Sequence, residues 1–199
     1  MSTPSATISL DAVPLSPRAK EIFETKFKPR LAQIQIERTQ VPLTILVWGS
    51  GPGDAPMYAK RTQIRDELRR LDHAAFFSED LAAMKKPGES EKTFEYEQAK
   101  SADVIIVLMV SFGSVAEVHD FADDRDIASK MLVFVSDAAT GGYSYQGALT
   151  DLKATFRNVE TFHAPDDIVS CRLKTIALDY VNHLQATKWL AAKKAESWS

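Results

Sequence analysis

Residues 104–110 read VIIVLMV, and this uninterrupted apolar stretch decides the fold. A continuous apolar run is typical of a strand that is buried on both faces of a parallel sheet. On either side of it, short apolar segments alternate with helical patterns. The predicted strands are residues 43–48, 74–77, 104–110, 131–135 and 159–162, and the predicted helices between them are residues 57–71, 91–100, 115–126 and 145–156. This alternation predicts an α/β fold with a doubly wound, five-stranded parallel sheet.

Helical sequence extends this domain at both ends. Residues 17–37 carry apolar side chains at helical spacing, with Pro29 expected to kink the helix, and residues 167–195 predict one long closing helix. We therefore expect a flavodoxin/Rossmann-like domain with helical N- and C-terminal extensions. Residues 1–40 are expected to form a flexible tail and an N-terminal helix, residues 41–165 the α/β core, and residues 166–199 a long C-terminal helix that packs on the core or on a partner.

Composition argues against several classes of function. The chain has 199 residues, of which 45% are hydrophobic and 26% charged, and its formal net charge of −3 argues against a general nucleic-acid or membrane-surface binder. No apolar run approaches the roughly 20 residues that a membrane span needs. One cysteine, Cys171, and four scattered histidines give no metal-ligand spacing. We expect a cytoplasmic protein with no metal, no cofactor, no membrane partner and no direct nucleic-acid binding.

Glycines cluster just after two of the predicted strands. Gly49, Gly51 and Gly53 follow the first strand, and Gly113 follows the central one. In doubly wound sheets, ligands bind at the carboxyl ends of the strands, and helix N-termini there attract anions. The two loops therefore either hold a phosphate or sugar or serve as ordinary turns. Residues 49–53 (GSGPG) lack both the lysine of a P-loop and the spacing of the dinucleotide fingerprint.

Glu117 is the candidate catalytic residue of the second loop, residues 111–117 (SFGSVAE). We expect it in the first turn of a helix, facing the glycine loop across a cleft. A carboxylate in that place can attack an anomeric carbon or stabilise an oxocarbenium-like transition state. The alternative interpretation is structural, because Ser114-x-x-Glu117 also matches a capping box.

Residues 46–117 resemble the nucleoside 2-deoxyribosyltransferase superfamily, most closely its branch of nucleoside 5′-monophosphate N-glycosidases. The residues that carry the resemblance are Gly49-Ser50 after the first strand, Tyr58-Ala59-Lys60-Arg61 in the following helix, Ser101-Ala102-Asp103 before the apolar strand, and Ser111, Gly113 and Glu117 in a Ser-x-Gly-x-x-x-Glu loop. The resemblance implies a nucleotide-binding catalytic core that converts a nucleotide and water into a free base and a sugar phosphate.

The resemblance also implies the roles of individual residues. Glu117 is then the catalytic carboxylate. The substrate-binding residues are Gly49, Ser50, Gly51, Gly53, Tyr58, Ser111, Gly113 and Ser114, with the phosphate held at the last three. The first loop lacks the arginine that this family often places there, so Lys60 or Arg61 is the expected substitute. Ser111 stands where the transferases have aspartate, which favours hydrolysis over base exchange.

Two other functions stay open. The second loop also resembles that of Toll/interleukin-receptor domains that cleave NAD, and related nucleotide sensors of similar fold bind a ligand without cleaving it. Tyr143 or Tyr145 is a candidate for stacking on a base. The terminal helices are candidates for contacts in a homo-oligomer.

Overall fold

The computed structural model describes residues 15–142 and 145–196, and it divides into two units, Met1–Gln40 and Val41–Ser199. The first unit contains helix α1 (Pro17–Ile22) and helix α2 (Lys28–Thr39), joined by a π-helical turn at Phe23–Phe27. Pro29, at which the sequence predicts a kink, lies at the start of α2 directly after this π-helical turn.

The second unit is built on a parallel sheet. Its strands are β1 (Thr44–Trp48), β2 (Ala74–Phe76), β3 (Val104–Met109), β4 (Met131–Ser136) and β5 (Val159–Phe162). All of them pair in parallel, in the order β2-β1-β3-β4-β5, which confirms the predicted five-stranded α/β fold. The chain first adds β2 on one side of β1 and then β3 on the other. The carboxyl ends of β1 and β3 therefore mark the topological switch point.

Helices cover both faces of the sheet. They are α3 (Ala55–Arg70), α4 (Glu91–Ser101), α5 (Phe112–Phe121), α6 (Arg125–Ala128), α7 (Thr150–Phe156), α8 (Asp166–Val169) and α9 (Arg172–Glu196). Alternate residues of each strand point to opposite faces, so Ile106 joins a core with α3 and α9, whereas Ile105 joins a core with α4, α5, α6 and α7. This arrangement is the doubly wound architecture that the sequence predicts.

The closing helical segment differs from its prediction. Residues 167–195 form α8 and α9, separated by Ser170 and Cys171, instead of one helix. Ser170 has an extended backbone, which ends α8, and its carbonyl accepts a hydrogen bond from Lys60 Nζ at 2.7 Å. In α9, Leu173, Ala177 and Val181 are fully buried in the core. Within the described residues, no helix combines the length and apolarity needed to cross a membrane.

Candidate functional site

A cavity of about 270 Å³ opens at the carboxyl edge of the sheet, at the switch point. Its lining includes Gly49 and Gly51 after β1, Ser78 and Glu79 after β2, and Glu117 on α5. Helices α3 and α4 supply further walls. The sheet order thus brings together segments that are up to about seventy residues apart in the sequence.

The first loop passes unusually close to β3. Gly49 has φ +152°, and a Cβ atom there would lie 3.1 Å from Leu108 Cβ and 3.2 Å from Leu108 O. A side chain at this position would be both strained and crowded, so the loop requires glycine. Gly51 has open space around its Cα, so its backbone faces the cavity without a neighbour that demands glycine.

Arg61 of α3 is buried and holds the first loop. Its Nε donates to Val47 O at 2.8 Å, and Nη1 donates to Ser50 O at 3.4 Å. Nη1 and Nη2 also form a bidentate pair with the Glu79 carboxylate, at 2.7 and 2.8 Å. Four of the five N–H donors of the guanidinium are therefore engaged by oxygens of the protein itself.

Lys60 points away from the cavity. Its Nζ donates to Gln63 Oε1 and to Ser170 O, both at 2.7 Å, and burial lowers its pKa. Lys60 and Arg61 are the two residues expected to replace a phosphate-binding arginine. Neither offers an uncommitted cation to the cavity within the described part of the chain.

Helix α5 begins earlier than predicted, and this changes the setting of Glu117. Ser111 is the N-cap, and its Oγ accepts from Ser114 N at 3.2 Å. The buried Ser114 Oγ accepts in turn from the backbone N–H groups of Val110 and Ser111, at 3.2 and 3.0 Å. The capping box is thus formed by Ser111 and Ser114. The interpretation that Ser114 and Glu117 form the box is wrong, and Glu117 lies in the second turn of α5 instead of the first.

The structure also divides the helix that the sequence predicts at residues 115–126. Helix α5 ends at Phe121, and Asp124 caps the separate helix α6 by accepting from the backbone N–H groups of Asp126 and Ile127. Because the cap closes upstream of Glu117, its carboxyl group is not needed to satisfy the helix terminus.

The surroundings of Glu117 favour its protonated form. Burial raises the pKa of this carboxyl from 4.5 to about 8, and the negative charges of Glu95 and Glu79 act in the same direction. The positive charge of Arg61 opposes them. Glu117 Oε2 is buried and has no hydrogen-bond partner among residues 15–142 and 145–196.

Helix α4 forms a wall of the cavity that the sequence analysis does not identify. Phe94 and Gln98 are each only 8% exposed, and they line the cavity together with Glu91 and Glu95. Burial raises the pKa of Glu95, and the charges of Glu91 and Asp120 add to this. One feature of the sequence could have identified this wall. Gln98 is a polar residue one turn after Phe94 on the buried stripe of a helix, where an apolar residue is the norm.

Three polar side chains meet in this cavity with atoms that lack a partner. Ser78 Oγ, both amide atoms of Gln98 and Glu117 Oε2 are buried, and none is hydrogen-bonded within the described structure. Each unsatisfied buried group costs about 1–3 kcal/mol, and native proteins contain few of them. Their convergence makes this cavity the candidate binding site of the described structure.

The predicted binding residues of the first loop divide between the cavity and its surroundings. Gly49 and Gly51 line it, whereas Ser50 is buried with its Oγ 3.5 Å from Asp54 Oδ2. Gly53 is exposed and outside the described lining. Tyr58 packs against the core, with its ring centroid 6.0 Å from that of Phe77, and it too is outside the lining.

The predicted phosphate-binding residues Ser111, Gly113 and Ser114 lie together at the N-terminus of α5, beyond the described lining of the cavity. Gly113 is exposed, whereas Ser114 is buried and its hydroxyl is occupied by the cap. The predicted base-stacking residue Tyr143 and the side chain of Tyr145 are outside the described residues.

The charges of the cavity determine which ligands it suits. Four carboxyl groups line its described part, those of Glu79, Glu91, Glu95 and Glu117, against the single guanidinium of Arg61. An acidic lining favours a neutral or cationic group over a phosphate. Across the described chain, no group of three or more His, Cys, Asp and Glu side chains is placed to hold a metal ion.

Comparison with known proteins places the chain in a family. Residues 58–196, more than two thirds of the chain, match the family model described as STM3845 retron effector protein. A search of the curated proteins finds no match. The matched range contains Arg61, Glu79, Gln98 and Glu117, and thus most of the cavity.

Proposed function

The chain belongs to the STM3845 retron effector protein family, and we propose that its activity is the hydrolysis of an N-glycosidic bond in a nucleotide. The family description names an effector and no reaction, so the proposal is argued from the cavity. In the proposed reaction, a nucleotide and water give a free base and a sugar phosphate.

One observation carries this proposal. Glu117 places a buried carboxyl oxygen, unpartnered in the described structure, in a cavity at the switch point of the sheet. Glu117 does not cap the helix, because Ser111 and Ser114 form the capping box of α5 without it. At about 270 Å³, the cavity lies just below the range of about 300–1,000 Å³ typical of drug-sized ligands, which suits a base and part of its sugar.

The proposed mechanism uses Glu117 as nucleophile or as the charge that opposes an oxocarbenium ion. The bond between the anomeric carbon and the base nitrogen breaks, and the base leaves with the bonding electrons and then takes up a proton. If Glu117 acts as nucleophile, its oxygen bonds to the anomeric carbon as the base leaves, and the oxygen of water then displaces the carboxylate from that carbon. Otherwise water adds directly to the oxocarbenium ion. In both cases the added water releases a proton. Glu79 and Glu95 place further negative charge near the positive charge that develops on the sugar.

The raised pKa of Glu117 fits this role. With a pKa of about 8, the carboxyl is mostly neutral at pH 7 in the free protein. When a substrate with positive charge on its base or anomeric carbon binds, that charge favours the ionised form of Glu117. The negative charge of the carboxylate then lies beside the positive charge that it stabilises. Since the ionised form is the active one, kcat/KM should rise with pH and level off above about pH 8.

The phosphate is expected outside the acidic cavity. Ser111 and Gly113 begin α5, where backbone N–H groups and the helix dipole favour an anion. In this arrangement the sugar spans from the α5 N-terminus to Glu117, and the base enters the cavity beside α4.

A second candidate reaction is the cleavage of NAD. The acidic lining is the observation that favours it, because the nicotinamide ring of NAD carries a positive charge, which the ionised carboxylates of the lining would attract. Both candidates use Glu117 in the same way and differ in the base that is released. A nucleotide sensor that binds without cleaving is the remaining alternative.

Chromatography of reactions with a panel of ribonucleotides, deoxynucleotides and NAD tests the proposal. Wild type should release a free base, and Glu117→Gln should lower the rate by about a thousandfold or more while retaining nucleotide binding. Glu97→Gln is the matched control, because Glu97 is exposed on α4 and outside the described lining of the cavity. It should leave the rate unchanged.

The identity of the released base decides between the two reactions. Binding without release by wild type contradicts hydrolysis and leaves the sensor. Equal rates for wild type and Glu117→Gln would contradict the role of Glu117 even if a base is released.

The proposal includes a cytoplasmic location and a homo-oligomer. The single cysteine, Cys171, is free and exposed, which suits a reducing compartment. The terminal helices are the proposed contacts of the homo-oligomer. Light scattering of the full chain measures the mass of the assembly.

A further inference from the structure

Gln98 is a buried polar side chain that the proposed mechanism leaves without a role. It lies on α4, is only 8% exposed, and lines the cavity together with Glu95 and Glu117. Neither Oε1 nor Nε2 has a hydrogen-bond partner in the described chain. Because a primary amide offers two donors and an acceptor, this combination indicates that a ligand supplies the partners.

The amide of Gln98 defines the chemistry that it can recognise. It presents a donor and an acceptor side by side, so its complement presents an acceptor and a donor at the same spacing. Glutamine forms such a bidentate pair with the amino group and adjacent ring nitrogen of adenine. Cytosine has an equivalent edge, and a primary carboxamide such as that of nicotinamide presents the same pair of groups.

Neighbouring carboxyl groups reduce the number of ligand groups that fit beside Gln98. Glu95 lies three residues before Gln98, on the same side of α4, and Glu91 lines the cavity one turn earlier. An ionised carboxylate only accepts hydrogen bonds. The lining therefore has an excess of acceptors, which favours a ligand with an NH₂ group over one with a carbonyl at the same place.

We propose that Gln98 is a specificity-determining residue that selects a leaving group carrying an NH₂ beside a hydrogen-bond acceptor. Phe94, one turn earlier on α4, contributes an apolar wall against which a planar ring can pack. The term leaving group rests on the proposed function. The recognition itself does not, because a free base binds without any turnover.

Calorimetric titration with three pairs of free bases tests the inference. The pairs are adenine and hypoxanthine, cytosine and uracil, and nicotinamide and nicotinic acid, and in each pair the first member carries the NH₂. Wild type should bind the first member of at least one pair about 10- to 100-fold more tightly than the second, as expected for one bidentate pair. The pair that shows the preference distinguishes a nucleobase from nicotinamide as the ligand.

Gln98→Met should remove that preference. Its affinity for the preferred base should fall about 10-fold or more, and the two members of the pair should then bind within about twofold of each other. Glu97→Met introduces the same side chain at the adjacent, exposed position of α4 and should retain the wild-type preference.

A thermal melt separates recognition from folding. Methionine fills a similar volume and replaces an amide that has no partner in the described structure, so Gln98→Met should melt at or above the wild-type temperature. Lower base affinity in a variant of undiminished stability is not expected of a merely structural residue.

The inference is overturned if wild type binds no base, if it binds both members of every pair equally, or if Gln98→Met keeps the preference. Its failure is distinguishable from that of the proposed function. Selective base binding without nucleotide cleavage would sustain the role of Gln98 and reject hydrolysis. Base release with unchanged selectivity in Gln98→Met would sustain hydrolysis and reject the role of Gln98.

Discussion

At the scale of single residues, Glu117 links folding to chemistry. Its pKa of about 8 in the folded protein compares with an ordinary value of 4.5. Below pH 4.5 the carboxyl is protonated in both states and does not affect stability. Between pH 4.5 and 8 the unfolded chain loses this proton first, so the folded state becomes less stable as the pH rises, and the full effect is present above pH 8.

Glu117→Gln should therefore stabilise the protein in alkaline solution. The amide has nearly the same shape and no charge to bury. The free energy of unfolding of the variant minus that of wild type should be roughly 3–4 kcal/mol larger at pH 9 than at pH 5. Urea unfolding at both pH values measures this change.

Glu97→Gln serves as the control for that measurement, because it makes the same substitution at an exposed position of α4 outside the described lining of the cavity. Its difference from wild type should stay the same at both pH values. A pH-independent difference for Glu117→Gln as well would show that the Glu117 carboxylate is not held in an unfavourable site.

Individual residues of the site differ in how far the sequence predicts them. Glu117 could be selected because it follows a strand that the apolar run identifies. Gln98 could be noticed only as a polar residue on the apolar stripe of α4, because its place in the cavity depends on the sheet order, which the sequence pattern does not contain. The sequence likewise cannot show that Arg61 is committed to Glu79, since their pairing joins α3 to the turn after β2.

At the scale of elements, the start of α5 determines what Glu117 can do. In the segment Ser111–Glu117, the sequence pattern suggests one capping box, formed by Ser114 and Glu117. The structure instead forms its box from Ser111 and Ser114, in which Ser114 is buried and its hydroxyl satisfies the N–H groups of Val110 and Ser111. This hydroxyl decides where the helix starts, and its burial is a tertiary property that the sequence pattern does not contain.

Ser114→Ala should destabilise the protein by about 1–3 kcal/mol, because it leaves these backbone donors without their acceptor. Gly113→Ala provides the matched variant one position away. A Cβ atom at Gly113 would meet only Ser111 Oγ, at 3.9 Å, so this variant should be neutral or more stable by up to about 1 kcal/mol. Thermal or urea unfolding of both variants measures these effects.

The two variants also test where the phosphate binds. A methyl group at Gly113 would crowd an anion at the α5 N-terminus, so Gly113→Ala should raise KM for a nucleoside monophosphate more than for the same nucleoside without phosphate. An equal KM change for both substrates would contradict a phosphate at this terminus. Equal stability of Ser114→Ala and wild type would contradict the capping role of Ser114.

At the scale of the whole molecule, the sheet is the part that sequence reasoning predicts best. Buried parallel strands read as apolar runs, and the helices between them follow from the periodicity of the connecting segments. The cavity is harder to predict, because its described lining comes from the segments after β1 and β2 and from α3, α4 and α5, which the sheet order brings together. The interruption between α8 and α9 also lies at a long-range contact, the hydrogen bond from Lys60 Nζ to Ser170 O.

Both cores are formed within the second unit. Their described members run from Leu43 to Leu184 and include the sheet, α3 and α9. Helices α1 and α2 contribute no buried residue. Residues 41–199 therefore contain the apolar contacts that hold the sheet together.

A variant that lacks residues 1–40 should consequently fold. Its thermal midpoint should lie within about 4 °C of the full chain, since a change of 1 kcal/mol shifts the midpoint of a domain of this size by about 2–4 °C. On the proposed function, it should also release the same base at a similar rate, because Glu117 and the cavity remain.

Circular dichroism melts measure the stability of this variant, the chromatographic assay measures base release, and light scattering compares its mass with that of the full chain. Loss of the cooperative transition would show that the N-terminal helices are needed for the sheet to fold, whereas a smaller assembly with normal stability would assign the homo-oligomer contacts to them.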